Sequence, residues 1–312
     1  MQAPPLLQSK AEARAWCVEQ KHSFGKTVVL VPTLGGLHEG HLRLVRDARN
    51  ASERTSVLVS IYLNETQFSQ TESEDFESYP RSLHEDLQQL AGLADAVFAP
   101  ANGSLYSCHH QTSVVPELLQ YQLCGSSRPH FFKGVATVVT KLLNICSPDF
   151  AIFGKKDYQQ LLIIRRLVLE LDLPTSILSS PLTRASDGLA LSSRNARLSH
   201  TARSNALSIH HALTRMRTRV TSLGAHNVSA SEIESQAASE IEAAGLQLDH
   251  VTVVNGLTLS QCSKCANSIA QCAPSQSLID ELGRGHGEDD VVLAVAAKID
   301  GVRLTDNIAL LP

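Results

Sequence analysis

The chain has 312 residues, of which 43% are hydrophobic and 19% charged, and its net charge is −4. These values indicate a globular protein, and without a basic excess they argue against nucleic-acid binding. No apolar run approaches the roughly 18 residues of a membrane span. Residues 1–20 lack the basic-then-apolar pattern of a secretory signal. The sequence therefore predicts a cytoplasmic protein with no nucleic-acid or membrane partner.

Strand-like and helix-like segments alternate through the first two thirds of the chain. Thr27–Val31 and Ser56–Leu63 are short β-branched runs, typical of strands that are buried on both faces. The later predicted strands are Asp95–Ala99, Phe150–Phe153 and Ser176–Ser179, and the predicted helices are Leu42–Asn50, Ser82–Leu93, Gly134–Ile145 and Gln159–Leu171. This alternation predicts an α/β fold with a doubly wound, Rossmann-like parallel sheet.

The pattern changes near residue 183, which predicts a boundary between residues 1–183 and a second, smaller α+β domain of residues 184–312. Helices are predicted at Thr201–Leu223 and Ser229–Ala244, followed by strands at His250–Val254 and Val291–Lys298. The segment Ser260–Asp290 is polar and without a clear period, so it is predicted to be a loop.

Seven cysteines, an odd number spread along the chain, predict reduced thiols. Cys17, Cys108, Cys124 and Cys146 are interpreted as packing residues. Cys262, Cys265 and Cys272, with His286 downstream, raise the alternative of an incomplete zinc site. Their spacing fits no common zinc finger, so a loop is the favoured interpretation.

The most informative motif, VPTLGGLHEGH, runs from Val31 to His41 between the first strand and the first helix of the predicted sheet. Its two glycines allow a tight turn and a close approach to a ligand. A helix start is favourable for phosphate, because its N–H groups and dipole are positive. His38 and His41 are one helical turn apart, so their rings can face the same way and donate to a triphosphate.

Two other interpretations of the histidines remain open on the residues alone. One histidine can cap the helix while the other is a packed polar side chain. The pair can also bind a metal, although no third ligand lies near it in the sequence.

Three further blocks carry polar side chains, and the first two follow predicted strands. Asn64 and Gln67 end the second strand with neutral groups suited to a small polar substrate. Gly154-Lys155-Lys156-Asp157 follows another strand, and it brings cations and a carboxylate to the carboxyl edge of the sheet. Leu191-Ser192-Ser193-Arg194 offers hydroxyls and a guanidinium that can clamp phosphate.

In this order and spacing, the four blocks resemble the pantothenate synthetase family. That family belongs to the nucleotidyltransferase superfamily that shares the His-x-Gly-His motif with class I aminoacyl-tRNA synthetases. The resemblance covers roughly residues 25–200, and Leu293–Ile308 is similar to the family's closing strand. It implies a ligase that uses ATP and Mg²⁺ to adenylate pantoate and pass the pantoyl group to β-alanine. It also implies a homodimer, for which the apolar edge Val57–Leu63 is a candidate contact, and a substrate-shielding lid near Ser69–Ser78.

The resemblance also implies residue roles. His41 is the proton donor, His38 its phosphate-binding companion, and Lys156 contacts the α-phosphate; Arg194 completes the catalytic set. Gln67 and Gln160 hold pantoate, with Asn64 beside them, and Asp157 faces Mg²⁺ through the phosphates. The implied ATP contacts are Pro32, Thr33, Leu34, Gly35, Gly36, Leu37, His38, Glu39, Gly40, His41, Gly154, Lys155, Lys156, Asp157, Thr183, Leu191, Ser192, Ser193 and Arg194.

Several positions depart from the commonest family pattern. Leu34 and Leu191 stand where methionine is frequent, and such swaps of similar volume are tolerated. Glu65 stands in place of a proline, and Lys155 adds positive charge where Glu or Gln is usual. The run Arg128–Phe131 is similar to the plant form of the family.

Two rivals remain at this point. One is another nucleotidyltransferase, which needs the histidine loop but not Gln67 and Gln160. The other is a non-catalytic nucleotide-binding protein, against which His38, His41 and Lys156 argue.

Overall fold

The computed structural model of the chain describes residues 3–68, 76–77, 79, 81–276, 279 and 289–311. The described residues form two compact units. The first unit comprises residues 1–120, 128–155 and 160–181, and the second comprises 121–127, 156–159 and 182–312. The predicted lid, Ser69–Ser78, lies outside the described residues except at positions 76–77.

The first unit is built on a six-stranded sheet in which every pair of neighbouring strands is parallel. The order across the sheet is β1-β4-β3-β2-β5-β6. The strands are β1 (Leu6–Leu7), β2 (Thr27–Thr33), β3 (Thr55–Ile61), β4 (Ala96–Phe98), β5 (Phe150–Gly154) and β6 (Ser176–Ser180). The chain runs outward from β2 to β4 on one side and then returns to build β5 and β6 on the other. The predicted doubly wound α/β sheet is confirmed.

Alternating side chains of the central strands enter two separate cores. In β2, Val28 and Leu30 pack on one face of the sheet, and Val29 and Val31 pack on the other. All four side chains have zero exposure. This is why β2 is a continuous apolar run rather than an alternating one.

Helices cover both faces of the sheet. Residues of α1 (Lys10–His22), α5 (Phe131–Cys146) and α6 (Tyr158–Glu170) join the core that contains Leu30. Residues of α2 (Glu39–Arg49) and α3 (Leu83–Gln89) join the core that contains Val31. Helix α1 was missed in the sequence, although Ser9 and Glu12 form a capping box at its start.

The topology fixes where loops of the first unit can meet. Strand β2 has β3 on one side and β5 on the other. The chain continues from β3 to β4 toward one edge of the sheet, and from β5 to β6 toward the opposite edge. Such a switch point opens a crevice at the carboxyl ends of the strands. Thr33 is paired with Ile61, so the loops that follow β2 and β3 start side by side at this edge.

The second unit contains a three-stranded antiparallel sheet in the order β7-β8-β9. Its strands are β7 (Gln247–Asn255), β8 (Val291–Ile299) and β9 (Val302–Leu311). Its helices in the described residues are α4 (Leu123–Ser127), α7 (His200–Leu223), α8 (Ala230–Ala243) and α9 (Cys262–Cys265). Helices α7 and α8 share one apolar core with this sheet.

The prediction of one closing strand over Leu293–Ile308 is wrong. The segment is a hairpin, in which Ile299 pairs with Val302 across a turn at Asp300 and Gly301. Both turn residues have positive φ, 49° and 73°. Asp-Gly is a preferred sequence for such two-residue turns.

The loop predicted over Ser260–Asp290 is structured in its described first part. It contains α9 and a 3₁₀ helix, Ile269–Cys272, and Cys262, Ile269 and Cys272 join the core of the second unit. Cys262 and Cys272 form a disulfide with their Cα atoms 5.5 Å apart, so the prediction of reduced thiols is wrong for this pair. The two helical turns bring the cysteines together, which their spacing in the sequence does not reveal.

Two more predictions need correction. The segment Val57–Leu63 is not an edge, because β3 is paired with β2 on one side and β4 on the other. Cys108 is exposed rather than packed, whereas Cys17 and Cys146 are buried as predicted. Among the described helices, none is both long enough and apolar enough to cross a membrane.

Candidate active site

The loop between β2 and α2 has a backbone that requires glycine. Gly35 and Gly36 have φ angles of +90° and +61°. A Cβ atom on Gly35 would lie 3.1 Å from Ile61 Cγ2 and 3.2 Å from Asp86 Oδ2. The positive φ angles explain both glycines of the sequence motif, and the lack of space is a second reason at Gly35.

The carboxylate of Asp86, in α3, binds the backbone of this loop. Its Oδ2 accepts a hydrogen bond from Gly36 N (3.0 Å), and its Oδ1 accepts one from Leu37 N (2.7 Å). The residue is only 2% exposed. Burial raises the pKa of Asp86, and the two backbone bonds oppose that shift. The carboxylate therefore uses two N–H groups of the loop, so these two groups bind Asp86 rather than a ligand anion.

His38 and His41 lie at the start of α2 with their ring centroids 4.0 Å apart. His38 is the N-cap residue, and its Nδ1 accepts from Gly40 N (3.1 Å). The backbone N–H of His38 donates to His41 Nδ1 (3.3 Å). The capping interpretation thus applies to His38, and the two rings still lie together as the phosphate interpretation predicted.

These hydrogen bonds select the tautomer of both rings. A neutral imidazole that accepts at Nδ1 carries its proton at Nε2. His38 and His41 therefore each carry their proton at Nε2. Two such donors at a helix N-terminus suit oxygen atoms on which negative charge develops.

Asn64 and Gln67 follow β3 at the same edge of the sheet. Asn64 has zero exposure, and its Nδ2 donates to Gln67 Oε1 (3.2 Å) and to Gly134 O (3.1 Å). Its Oδ1 accepts from Tyr106 (2.9 Å) and Thr66 (3.0 Å). Burial raises the pKa of Tyr106, which keeps its hydroxyl protonated as a donor. Asn64 is thus held by protein groups on both sides of its amide.

Helix α5 approaches this cluster at Gly134. A Cβ atom there would lie 2.6 Å from both Cα and N of Gln67, closer than side chains approach a backbone. The glycine lets the carbonyl of residue 134 reach Asn64, so the position of Gln67 depends on α5. Gln160, the other predicted pantoate contact, lies in the first turn of α6 and is partly buried.

Lys155, Lys156 and Asp157 form a 3₁₀ turn directly after β5. Lys156 and Asp157 belong to the second unit. Lys156 Nζ donates to Thr305 Oγ1 (3.1 Å) and lies 3.4 Å from Asp157 Oδ1. Asn307 Nδ2 donates to the main-chain oxygen of Lys156 (2.9 Å).

The segment from Thr183 to Arg194 is a small hairpin followed by a 3₁₀ turn. Leu191 N donates to Thr183 O (3.0 Å), so the main-chain oxygen of this predicted ATP contact has a partner within the hairpin. Ser192 caps the turn Ser193–Arg197, since its Oγ accepts from Arg194 N (3.3 Å). Arg184 anchors the hairpin through two hydrogen bonds to Asp306 (2.6 and 2.9 Å).

The predicted residues thus form local groups. In the first unit, the histidine loop and the Asn64–Gln67 cluster start from adjacent strands, and Gly154 ends β5 beside β2. In the second unit, Lys156 and the hairpin at Thr183–Leu191 both contact β9. Sequence reasoning missed Asp86, Arg184 and residues 305–307. Their partners are tens to more than a hundred residues away, and no local pattern marks them.

The fold and the histidine loop define a class: a doubly wound α/β protein with this loop at the switch point between β2 and β5, where proteins of this fold generally bind ligands. The family model for pantoate-beta-alanine ligase matches residues 5–309. The chain belongs to this family.

Individual relatives match over nearly the whole chain. The pantothenate synthetase of Alcanivorax borkumensis is 40% identical over 99% of this chain and 97% of its own. The pantoate–β-alanine ligase of Oryza sativa subsp. japonica is 38% identical over 98% and 97%. The crystal structure of the Francisella tularensis pantoate–β-alanine ligase, complexed with beta-gamma ATP and β-alanine, superposes with a TM-score of 0.73. It is 28% identical, and the match covers 99% of this chain and 98% of that one.

Proposed function

We propose that this chain condenses pantoate with β-alanine to form pantothenate, AMP and pyrophosphate from ATP. The observation that carries the proposal is the pair His38 and His41 at the N-terminus of α2, where both Nδ1 atoms accept backbone hydrogen bonds and both Nε2 atoms therefore carry the proton. The activity named for the family and for its ATP- and β-alanine-bound member supports it.

The first step is adenylation. A carboxylate oxygen of pantoate attacks the α-phosphorus of ATP, and the bond to the bridging oxygen breaks so that pyrophosphate leaves. The Nε2–H groups of His38 and His41 donate to phosphate oxygens as charge develops there. Lys156 and Arg194 supply positive charge in the roles that the family resemblance implies.

Gln67 and Gln160 hold pantoate in this proposal. Gln67 Oε1 is engaged by Asn64, so the Gln67 amide nitrogen is the group that donates to a pantoate oxygen. Asn64 itself is fully buried among protein partners. Its role changes accordingly, from a substrate contact to a residue that positions Gln67.

The second step is acyl transfer. The free amine of β-alanine attacks the pantoyl carbonyl, a C–N bond forms, and the C–O bond to the phosphate breaks. AMP leaves with that bond's electron pair, and the nitrogen loses a proton. No covalent enzyme intermediate is needed, and positioning of the two reactants together with electrostatic stabilisation supplies most of the rate.

The carboxylate of Asp157 is a suitable ligand for Mg²⁺. Mg²⁺ is commonly held by one or two carboxylates together with substrate phosphates. The side chain of Asp157 is 55% exposed, and the described part of the chain has no cluster of three acidic, histidine or cysteine ligands. Asp157 would therefore hold Mg²⁺ jointly with the phosphates, where the ion would neutralise their charge.

The remaining parts of the proposal come from the sequence. The homodimer rests on the resemblance, and the cytoplasmic location rests on the targeting patterns. The division into a catalytic domain of residues 1–183 and a lid domain of residues 184–312 rests on the change of pattern near residue 183. The inner position of β3 removes the argument that Val57–Leu63 forms the dimer contact.

Isotope transfer tests the adenylate directly. Pantoate labelled with ¹⁸O in its carboxylate is incubated with ATP, Mg²⁺ and β-alanine, and the ¹⁸O content of each product is measured by mass spectrometry. The proposal predicts one ¹⁸O atom in AMP, because the attacking oxygen stays on phosphorus. Label in inorganic phosphate, with ADP as the nucleotide product, would show an acyl phosphate and refute the mechanism.

A further inference from the structure

Three consecutive residues of β9 contact the predicted phosphate-binding turn at Lys156 and the hairpin that leads into Leu191–Arg194, both in the second unit. Thr305 and Asn307 meet Lys156, through its ammonium group and its main-chain oxygen. Asp306 meets Arg184 instead. Successive side chains of a strand point to opposite faces, so one strand can serve two segments at once.

Asp306 is the anchor of the hairpin that precedes Leu191. It is 5% exposed, and its two oxygens accept from the two terminal nitrogens of Arg184. Arg184 also donates to Gly188 O (3.1 Å), inside the hairpin. A bidentate pair of this kind fixes direction as well as distance. The start of the Leu191–Arg194 segment is thus set by the position of β9.

Lys156 is held by a neutral group as well as by a charged one. The Thr305 hydroxyl lies 3.1 Å from its ammonium, and the Asp157 carboxylate lies 3.4 Å away and is exposed to solvent. A hydroxyl orients the ammonium without cancelling its charge. Without the Thr305 hydroxyl, the ammonium would be left to pair with Asp157, which does neutralise it.

The main chain of residues 305–307 is itself fixed by the sheet. Thr305 pairs with Ala296 and Asn307 with Ala294, both on β8. Asn307 N also donates to Asp306 Oδ1 (2.7 Å), which ties the two side-chain sites together. The main chain of β9 therefore positions both Lys156 and the hairpin.

We propose that Thr305, Asp306 and Asn307 are positioning residues for the adenylation step. Thr305 and Asn307 set Lys156, and Asp306 sets the Leu191–Arg194 segment through Arg184. The inference rests on the proposed function and deepens it, because it assigns the organisation of the phosphate-binding cations to β9.

The test compares Thr305→Val, which removes only the hydroxyl, with Thr305→Ser, which keeps it. Pantoate-dependent ATP–pyrophosphate exchange is measured for each, with the rate constant and the KM values for ATP and pantoate reported separately. Thr252→Val is the matched control, since it makes the same change on β7 of the same sheet. Loss of a hydrogen bond to a charged group lowers a rate by roughly tenfold to a hundredfold, and the low end applies here because the Lys156 side chain is 21% exposed.

Thr305→Val is expected to lower the exchange rate constant about tenfold with the KM for pantoate unchanged. Thr305→Ser and Thr252→Val are expected to match the wild type. The variant Asn307→Asp cannot donate to the Lys156 carbonyl, so its exchange rate constant is expected to fall in the same way. Circular dichroism checks that this variant is folded.

Wild-type kinetics in Thr305→Val and in a folded Asn307→Asp would overturn the inference while the proposed function stands. Equal loss in Thr305→Ser and Thr305→Val would also overturn it, since the hydroxyl would then be irrelevant. A wild-type protein without any pantoate-dependent exchange would refute the proposed function first, and this inference with it.

Discussion

Replacing Asp86 with asparagine tests whether the loop after β2 must be held in its present shape. The carboxylate accepts from Gly36 N and Leu37 N at 3.0 and 2.7 Å. An asparagine keeps one acceptor and turns an NH₂ group toward the other N–H. The variant thus loses one charge-assisted bond, worth about 1.5–3 kcal/mol. Removal of a buried charge, whose cost is visible in the raised pKa of Asp86, offsets part of that loss.

A net loss of about 2 kcal/mol in the stability of the loop corresponds to roughly thirtyfold in an equilibrium constant. If ATP binds only the present shape of the loop, the KM for ATP should rise by up to that factor. The KM for pantoate should change little, because Gln67 is held by Asn64 and not by the loop. Initial rates of pyrophosphate exchange at varied ATP and at varied pantoate measure both values.

Asp149→Asn is the matched control for this experiment. Asp149 accepts from Val28 N (2.7 Å), near the amino end of β2 and away from the loop. Both substitutions should lower the free energy of unfolding, but only Asp86→Asn should raise the KM for ATP. If Asp86→Asn is destabilised and still has a wild-type KM for ATP, Asp86 has a structural role only and the reasoning about the loop is wrong.

Three other predictions concern separate parts of the structure. Gly134→Ala places a methyl group against the backbone of Gln67; it should cost about 1–3 kcal/mol of stability and raise the KM for pantoate more than that for ATP. Burial lowers the pKa of His250 from 6.5 to about 4, so the unfolded state binds more protons between these values. The free energy of unfolding should therefore fall as the pH is lowered from 7, by about 2 kcal/mol at pH 5. Urea titrations should show a smaller decrease for the variant His250→Gln. The double substitution of Cys262 and Cys272 by serine should lower the free energy of unfolding by about 3 kcal/mol and leave the number of titratable thiols unchanged; a loss of two thiols would contradict the disulfide.

The strands and helices of the first unit from β2 onward were predictable because their local patterns are strong, whereas β1 and α1 were missed. Strand β2 is an uninterrupted β-branched run, and the helix after the glycine loop begins at the histidine motif. Thr27–Val31 was predicted, and β2 extends to Thr33. Tertiary pairing with β3 adds the last two residues, Pro32 and Thr33.

Other features were hidden because they depend on distant partners. Asp86 contacts a loop some fifty residues earlier in the chain, and Asp306 meets Arg184 more than a hundred residues away. Nothing in the local sequence of either aspartate distinguishes it from a solvated carboxylate. The hairpin of β8 and β9 was different, since Asp300-Gly301 is a visible turn sequence that was overlooked within an apolar segment.

The same contrast applies to Asn64. Its position after β3 was predicted, together with its neutral chemistry and its neighbour Gln67. Its burial was not, because it depends on Tyr106 and on the close approach of α5 at Gly134. A residue type suited to a substrate can equally hold the residue that binds it.

Pyrophosphate exchange by the wild-type protein tests the central claim most directly. The purified chain is incubated with ATP, Mg²⁺ and labelled pyrophosphate, with and without pantoate and in the absence of β-alanine. Label entering ATP only when pantoate is present is the predicted result, because pantoyl adenylate formation is then reversible. Exchange without pantoate, or none with it although ATP binds, would contradict the assignment of pantoate as the acid that is adenylated.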